Sequence, residues 1–288
     1  GTTGTPKGVM LSLNNHMASA SASAFRLGIL PTDQWLCCLP LYHVGGLNII
    51  LRCCLYGIPV NLQHGFKIEA MQHALENHPV TLVSLVPTML HRLLQFEALH
   101  LDRLRLILLG GAAASPQLLT TCQQRNIPIA TTYGLSEACS QVATLLPPIS
   151  YQKAGSVGKP LLFTSVQILD ENRQPLPVGA IGDIAVRGLT LMQGYFNNPE
   201  ATAQTMSNGN LLTGDMGYLD EDGDLWVVQR RSDLILSGGE NIYPAEIERI
   251  LAAHPAIAQS CVVGVPHPEW GQQVAAAIVL HPAQDLPR

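Results

Sequence analysis

Between Lys67 and Thr132 the chain alternates between two hydrophobic rhythms. Ile68 to Asn77 spaces its apolar residues three to four apart and predicts an amphipathic helix. Val80 to Val86 is a short continuous apolar run, as in a strand buried on both faces. Pro87 then opens a helix through Phe96, because its fixed φ suits the first helical turn. Leu104 to Leu109 predicts a second buried strand ending at Gly110-Gly111. Ser115-Pro116 starts a helix that reaches about Arg125, and Ile127 to Thr131 predicts a third strand before Tyr133-Gly134. Apolar strands alternating with helices predict an α/β fold, a doubly wound, mostly parallel sheet covered on both faces. Ligands bind such sheets beyond the carboxyl ends of the strands, where Gly110-Gly111 and Tyr133-Gly134 fall.

After Gly155 the rhythm changes. Short alternating runs, Ser165 to Leu169, Ile181 to Val186 and Leu225 to Val228, lie between turn signals such as Asp222-Gly223 and predict antiparallel strands, a small barrel or meander. From Arg231 a third style begins: a strand-like Leu234-Ile235-Leu236, then Ser237-Gly238-Gly239, then a helix over Tyr243 to Leu251 with proline at its first position and acid in its first turn. These shifts divide the chain into residues 1–232, with sheets over 1–154 and a barrel-like part over 155–232, and the start of a smaller α+β domain over 233–288.

Composition narrows the functions available. With 47% hydrophobic and 13% charged residues the 288-residue chain carries a large core, which excludes disorder. A net charge of −5 with scattered lysines and arginines gives no basic face for nucleic acid. The apolar runs are strand-sized, so no membrane span is expected. Two adjacent cysteine pairs, Cys37-Cys38 and Cys53-Cys54, and three isolated cysteines offer no C-x-x-C spacing; buried thiols in a reducing cytoplasm are expected.

The candidate chemistry begins at the first residue. Gly1-Thr2-Thr3-Gly4-Thr5-Pro6-Lys7-Gly8 combines glycines that let backbone N–H groups converge, three hydroxyls and a mobile cation, a nest suited to a polyphosphate. It is not a Walker A loop, since Pro6 and Gly8 flank the lysine. His43 closes Leu39-Pro40-Leu41-Tyr42. Tyr133-Gly134-Leu135-Ser136-Glu137 offers an aromatic plane, a hydroxyl and a carboxylate that could hold Mg²⁺ beside phosphates. Thr213-Gly214-Asp215 could take a ribose diol, and Arg230 an anion. Singly, each piece also has a bland account: a surface turn, a structural histidine, an Asx turn and an exposed ion pair.

Their order along the chain resembles the adenylate-forming (AMP-binding) superfamily of acyl-CoA synthetases, firefly-type luciferases and peptide-synthetase adenylation domains. The opening loop resembles that family's phosphate loop, Leu39 to His43 its Leu-Pro-x-x-His element, and Tyr133 to Glu137 its Tyr-Gly-x-Thr-Glu element with Ser136 in the threonine place. Gly155 to Pro160, Gly182 to Gly188 with Gly194-Tyr195, Thr213 to Asp215 and Arg230 through Glu248 are similar to its later motifs.

The resemblance implies ATP, Mg²⁺ and coenzyme A, with a small carboxylic acid as substrate. Thr2, Thr3, Thr5 and Lys7 would embrace the β- and γ-phosphates; Gly111, Ala112 and Tyr133 would line the adenine slot, with Gly134 also counted as cofactor-binding; Ser136 would lie near the α-phosphate. Glu137 would hold the metal, Asp215 and Arg230 the ribose, and His43 would border the acyl pocket. Gly238, Gly239 and Glu240 would belong to a mobile segment forming the pantetheine channel, with Asp233 as hinge. Lys7, His43, Ser136 and Glu137 would carry the catalysis. In that chemistry a carboxylate attacks the α-phosphorus of ATP, pyrophosphate leaves, and a thiol then displaces AMP.

Leu39 to Leu47, Ser84 to Leu90 and Tyr133 to Gln141 look like the o-succinylbenzoate–CoA ligases of menaquinone and phylloquinone biosynthesis, the Cys139-Ser140-Gln141 continuation most pointedly. Another aryl- or medium-chain acyl-CoA ligase and a catalytically incomplete nucleotide-binding remnant stay open, as does a homo-oligomer. The chain opens inside the phosphate loop and stops at Arg288, before the family's adenylation lysine; it is therefore expected to be a fragment lacking both ends, impaired in adenylate formation by itself.

Overall fold

Strand Val9–Met10 (β1) leads into helix Leu13–Leu27 (α1), then Trp35–Cys37 (β2), Val44–Tyr56 (α2), Val60–Leu62 (β3) and Ile68–Asn77 (α3). Leu82–Leu85 (β4), Pro87–Leu94 (α4), Leu106–Leu109 (β5), Pro116–Gln124 (α5) and Ile129–Leu135 (β6) follow, then Ser140–Leu145 (β7), Ile149–Gln152 (α6) and Ser156–Pro160 (β8). The computed structural model describes residues 7–96, 101–230, 233–237, 240–267 and 271–281. They form two units, one from residues 1–167, 185–213 and 219–226, the other from 168–184, 214–218 and 227–288.

In the first unit five parallel strands lie in the order β3-β2-β4-β5-β6, and β7 and β8 continue the sheet antiparallel. The strand sequences explain the double winding. Leu36, Cys38, Val83, Leu85, Ile107, Leu109 and Ile129 turn to one face, where they pack with Met71, Leu75, Leu90, Leu93, Leu118 and Leu119 of α3 to α5. Their neighbours Trp35, Cys37, Leu82, Leu106, Leu108 and Ala130 turn to the other, against Leu27, Ile49 and Cys53 of α1 and α2. Successive strand residues alternate faces, so a continuous apolar run serves both layers.

The predicted helices and strands of this region are present, with ends displaced by a few residues: α4 stops at Leu94, α5 at Gln124, and β6 runs on to Leu135. Helix α1 has no counterpart in the hydrophobic pattern. Its buried face is Asn15, Ser19, Ala20, Ala22, Ser23 and Leu27, too small and polar to give a strong apolar period. Its ends are nonetheless written in the sequence as a Ser12–Asn15 capping box and Gly28 in the left-handed region (φ 64°).

Thr164–Leu169 (β9), Gly182–Gly188 (β10), Gly194–Tyr195 (β11), Pro199–Thr205 (α7), Met206–Ser207 (β12), Asn210–Leu219 (β13) and Leu225–Arg230 (β14) supply the strand-and-turn texture expected after Gly155. Leu225 and Trp226 pair antiparallel with β8. In the turn before them Lys153 Nζ donates to Asp220, Asp222 and Asp224 at 2.8, 2.6 and 2.5 Å. In the second unit Ile235–Ser237 (β15), Glu240–Ile242 (β16), Pro244–Ala252 (α8), Ile257–His267 (β17) and Gly271–Leu280 (β18) form an antiparallel sheet in the order β16-β15-β18-β17. The α8 carboxylate of Glu248 accepts the Val262 N–H at 2.8 Å.

All seven cysteines are free. The expectation of buried thiols fails at Cys54 and Cys261, which are exposed because each lies on the outward side of its element. Burial pushes the Cys38 and Cys53 thiols up to about 12 and Cys122 up to about 11, so these three are apolar fillers rather than nucleophiles.

Candidate active site

The carboxyl ends of β2, β4, β5 and β6 open onto a cavity of about 370 Å³ in the first unit. Leu39, Pro40 and His43 come from the β2–α2 connection, Ser84 and Leu85 from β4 with Val86 just after it, Gly110 and Gly111 from just beyond β5, Thr132, Gly134 and Leu135 from β6, and Ser140 and Gln141 from β7. Glycine is required where chains crowd. At Gly134 a side chain would collide with the Ser140 carbonyl, and at Gly46 it would meet the Leu39 and Pro40 carbonyls. The open mouth is thus maintained by backbone approaching backbone.

At one edge lies an acidic and aromatic corner. Pairing of Val9 with Tyr195 in β1 and β11, with Phe196 N–H donating to Gly8 O at 2.7 Å, places Lys7 beside Tyr195. The Lys7 ammonium sits 4.5 Å from the Tyr195 ring centroid, a cation–π distance. The Tyr195 hydroxyl donates to Glu137 Oε1 at 2.6 Å. Burial and the Glu137 carboxylate push the phenol up to about 12, so it remains a donor throughout the neutral range. Glu137 stands on the short helical turn Ser136–Ala138, and its carbonyl accepts the Met192 N–H at 2.8 Å. No ion pair reaches Glu137 among the described residues. A half-buried carboxylate without a basic partner is a hard oxygen donor, and Mg²⁺ takes one or two such ligands together with phosphate oxygens. The residue fits the ion.

Arg52 of α2 forms part of the cavity's inner wall. It is fully buried, its guanidinium 6.0 Å from the Trp35 ring, with Nη2 donating to Ser19 Oγ at 3.2 Å and Nε without a partner. Burial holds it below the usual arginine range, opposed by Tyr56, Cys139 and Cys53. No carboxylate pairs with it among the described residues. Gln141 Oε1 is a second buried polar atom without a partner on the same wall.

The structure brings together His43, Gly111, Gly134 and Ser136 as cavity lining, with Lys7 and Glu137 in the adjoining corner. His43 precedes α2, exposed and tilted against Tyr42 at 4.6 Å between rings. Ala112 is exposed and Tyr133 half-buried, beside lining residues in sequence without lining the cavity themselves. Asp215 is buried in the second unit, as part of β13. Arg230 ends β14, and Glu240 begins β16. Thr2, Thr3, Thr5, Gly238 and Gly239 lie outside the described residues. Sequence reasoning missed Arg52 and Tyr195 as site residues. For Arg52 a signal existed: a lone arginine in the apolar helix Val44–Tyr56, where a cation is out of place.

Residues 1–196 match the AMP-binding enzyme family, and residues 246–288 match the AMP-binding enzyme C-terminal domain. The chain is 44% identical over 281 residues to the 2-succinylbenzoate–CoA ligase of Bacillus subtilis (strain 168), and 46% over 274 residues to that of Geobacillus kaustophilus (strain HTA426). These alignments take in 98% and 94% of this chain but only 58% and 56% of the two relatives, so the chain spans well under two thirds of their length. Among solved structures, the o-succinylbenzoate CoA synthetase of Bacillus subtilis in complex with the acyl-adenylate intermediate OSB-AMP superposes with a TM-score of 0.92 at 44% identity, covering 99% of this chain and 59% of that one. The amide bond synthetase McbA from Marinactinospora thermotolerans gives 0.90 at 34% identity, over 99% and 59% of the two chains. A TM-score this high at such identity joins the fold, the cavity at the strand ends and the ordered motifs into one conclusion: the chain belongs to the AMP-binding enzyme family.

Proposed function

We propose that the full-length protein is an ATP-dependent carboxylate–CoA ligase acting on 2-succinylbenzoate. The observation that carries the choice of acid is Arg52: a fully buried cation with an unpartnered N–H on the wall of a largely apolar cavity. 2-Succinylbenzoate is a dicarboxylic acid. While one carboxylate reacts, the other must enter the cavity still charged, and a buried guanidinium compensates that cost with charge-assisted hydrogen bonds. An aryl- or medium-chain monocarboxylate would leave Arg52 unpaired.

In the first step the free carboxylate oxygen attacks the α-phosphorus of ATP, the bond to the bridging oxygen breaks, and pyrophosphate departs. Lys7 and the Thr2, Thr3 and Thr5 hydroxyls hold the leaving phosphates, and Ser136 lies beside the α-phosphate. Glu137 would hold Mg²⁺, which when bound would neutralise charge on the phosphate oxygens. Gly111, Ala112 and Tyr133 accommodate the adenine, Gly134 contributes to the nucleotide site, and Asp215 and Arg230 take the ribose. In the second step the CoA thiolate attacks the acyl carbon and AMP leaves, with His43 at the acyl border and Gly238, Gly239 and Glu240 along the pantetheine path. A smaller domain beginning at Asp233 moves between the steps and excludes water from the mixed anhydride. The protein acts in the cytoplasm, with small molecules rather than nucleic acid as its partners.

The test is an ATP- and CoA-dependent assay of the full-length protein with 2-succinylbenzoate beside benzoate, coumarate and octanoate. Turnover of 2-succinylbenzoate at least about tenfold above the others supports the reading; preference for a monocarboxylate by that margin overturns it.

A further inference from the structure

We propose that Ser19 is a positioning residue that aims Arg52 into the cavity, and so sets the preference for a dicarboxylic acid; this rests on the assignment of Arg52 to the substrate's second carboxylate. Ser19 lies buried in α1, and unlike Arg52 it is not among the residues that line the cavity. Its hydroxyl donates to the Cys139 carbonyl at 2.7 Å, and its oxygen accepts Arg52 Nη2–H at 3.2 Å. The directions are fixed. A carbonyl only accepts, a guanidinium only donates, and the hydroxyl is the one group of the three that does both.

The carbonyl end of this relay is itself held. Asn48 Nδ2 donates to the same Cys139 oxygen at 2.8 Å. That orientation turns Asn48 Oδ1 toward His16 Nδ1 at 2.7 Å, which assigns the proton to that nitrogen. Cys139 and Ser140 both have positive φ, 54° and 94°, a strained pair for side-chain-bearing residues, and the two donors converging on Cys139 O hold it in place. Helix α1, helix α2 and the turn before β7 therefore meet at one oxygen. With Nη2 tethered to Ser19, rotation of the guanidinium is restrained, and its buried Nε is left without a competing acceptor from the protein. Without the tether an arginine side chain, rich in rotamers, would have to be ordered by the substrate itself.

The relay acts through Arg52, and a double-mutant cycle isolates that dependence. Full-length Ser19→Ala, Ser19→Thr, Arg52→Met and the Ser19→Ala/Arg52→Met double variant are assayed with 2-succinylbenzoate and with an analogue lacking the second carboxylate. ATP affinity and thermal unfolding are recorded in parallel. Ser19→Ala is expected to lower the kcat/KM ratio of dicarboxylate over monocarboxylate about three- to tenfold, through KM, with ATP affinity unchanged. Ser19→Thr, which keeps the oxygen, is expected to restore most of the ratio, and Ser19→Ala to have no further effect on it in the Arg52→Met background. If alanine at this position does not fold, Ser19→Cys, of similar size but a far weaker acceptor, takes its place.

A ratio unchanged in Ser19→Ala while Arg52→Met collapses it overturns the positioning role and leaves the acid assignment standing. An equal loss for both acids, additive with Arg52→Met, reduces Ser19 to a structural residue and likewise overturns it. A ratio untouched by Arg52→Met removes the acid assignment and the proposal with it.

Discussion

Replacing Arg52 by methionine separates binding from folding. The guanidinium is enclosed, with one hydrogen bond to Ser19 and Nε unpartnered, and no carboxylate pairs with it among the described residues. Charged hydrogen bonds contribute about 1.5–3 kcal/mol each, which is about 10- to 150-fold in kcat/KM at tenfold per 1.36 kcal/mol. The loss should fall on 2-succinylbenzoate and spare a monocarboxylate of similar size. Stability should move the other way, because a buried charge short of partners is a burden that an apolar side chain of similar length relieves. Kinetics of CoA ester formation with both acids, and the melting temperature of the apo protein, give the two readings. Arg52→Met with equal losses on both acids, or with a melting temperature several degrees lower, would refute the reasoning. It would then be a packing residue whose stem, not its charge, matters.

Three further outcomes follow from the site and its scaffold. Glu137→Gln should lower the rate of pyrophosphate exchange by about 10²- to 10³-fold and raise the Mg²⁺ concentration needed, while Tyr195→Phe, which removes the 2.6 Å donor to Glu137, should cost about tenfold; equal effects would deny that the phenol acts through the carboxylate. Gly134→Ala should misfold the β6–β7 turn, since its Cβ would fall on the Ser140 carbonyl; native melting with normal ATP binding would show that the turn can move aside. Burial opposes ionisation of Asp220, but Lys153, the Trp226 indole and the Asp224 amide outweigh it and bring its carboxyl down to about 2. A depressed folded value means that the native state binds fewer protons, so this contribution is present above about pH 4 and lost as pH falls toward about 2. Lys153→Met should therefore lower the melting temperature at neutral pH and narrow its deficit in that acid window; a deficit independent of pH would mean that the three carboxylates do not need the ammonium.

The parallel sheet was legible because its strands are continuous apolar runs between helix signals, and Leu82–Leu85, Leu106–Leu109 and Pro116–Gln124 lie within a few residues of where the pattern puts them. What escaped was governed by pairing over long separations. Asp33 and Arg105, 72 residues apart, join through contacts of 3.1 and 2.6 Å that fix the starts of two strands, yet neither stands in a recognisable motif. Helix α1 was hidden because its inward face is made of serine, alanine and asparagine, residues whose burial makes sense only once their partners on α2 and the β7 turn are known. The site was legible in part for the same reason. The motif residues His43, Gly111, Gly134, Ser136 and Glu137 belong to turns with fixed spacing, whereas Arg52 and Tyr195 earn their places only through tertiary contact.

That contact gives the turn at residues 136–141 a double duty. Glu137 accepts from Tyr195, whose ring carries Lys7; Cys139 is anchored by Ser19 and Asn48; Ser140 and Gln141 form part of the cavity wall that also contains Arg52. Six consecutive residues thus touch both the group that would hold the metal and the wall that would hold the acid. The attacking carboxylate and the α-phosphorus must approach within about 3–3.5 Å along one line, and a shift of about 1 Å is costly. In the proposed reaction a single strained, doubly anchored turn would fix that separation more tightly than two independent loops, because displacing either side must move the same backbone. On the proposed reading, the positive φ values at Cys139 and Ser140 are where this constraint would be stored.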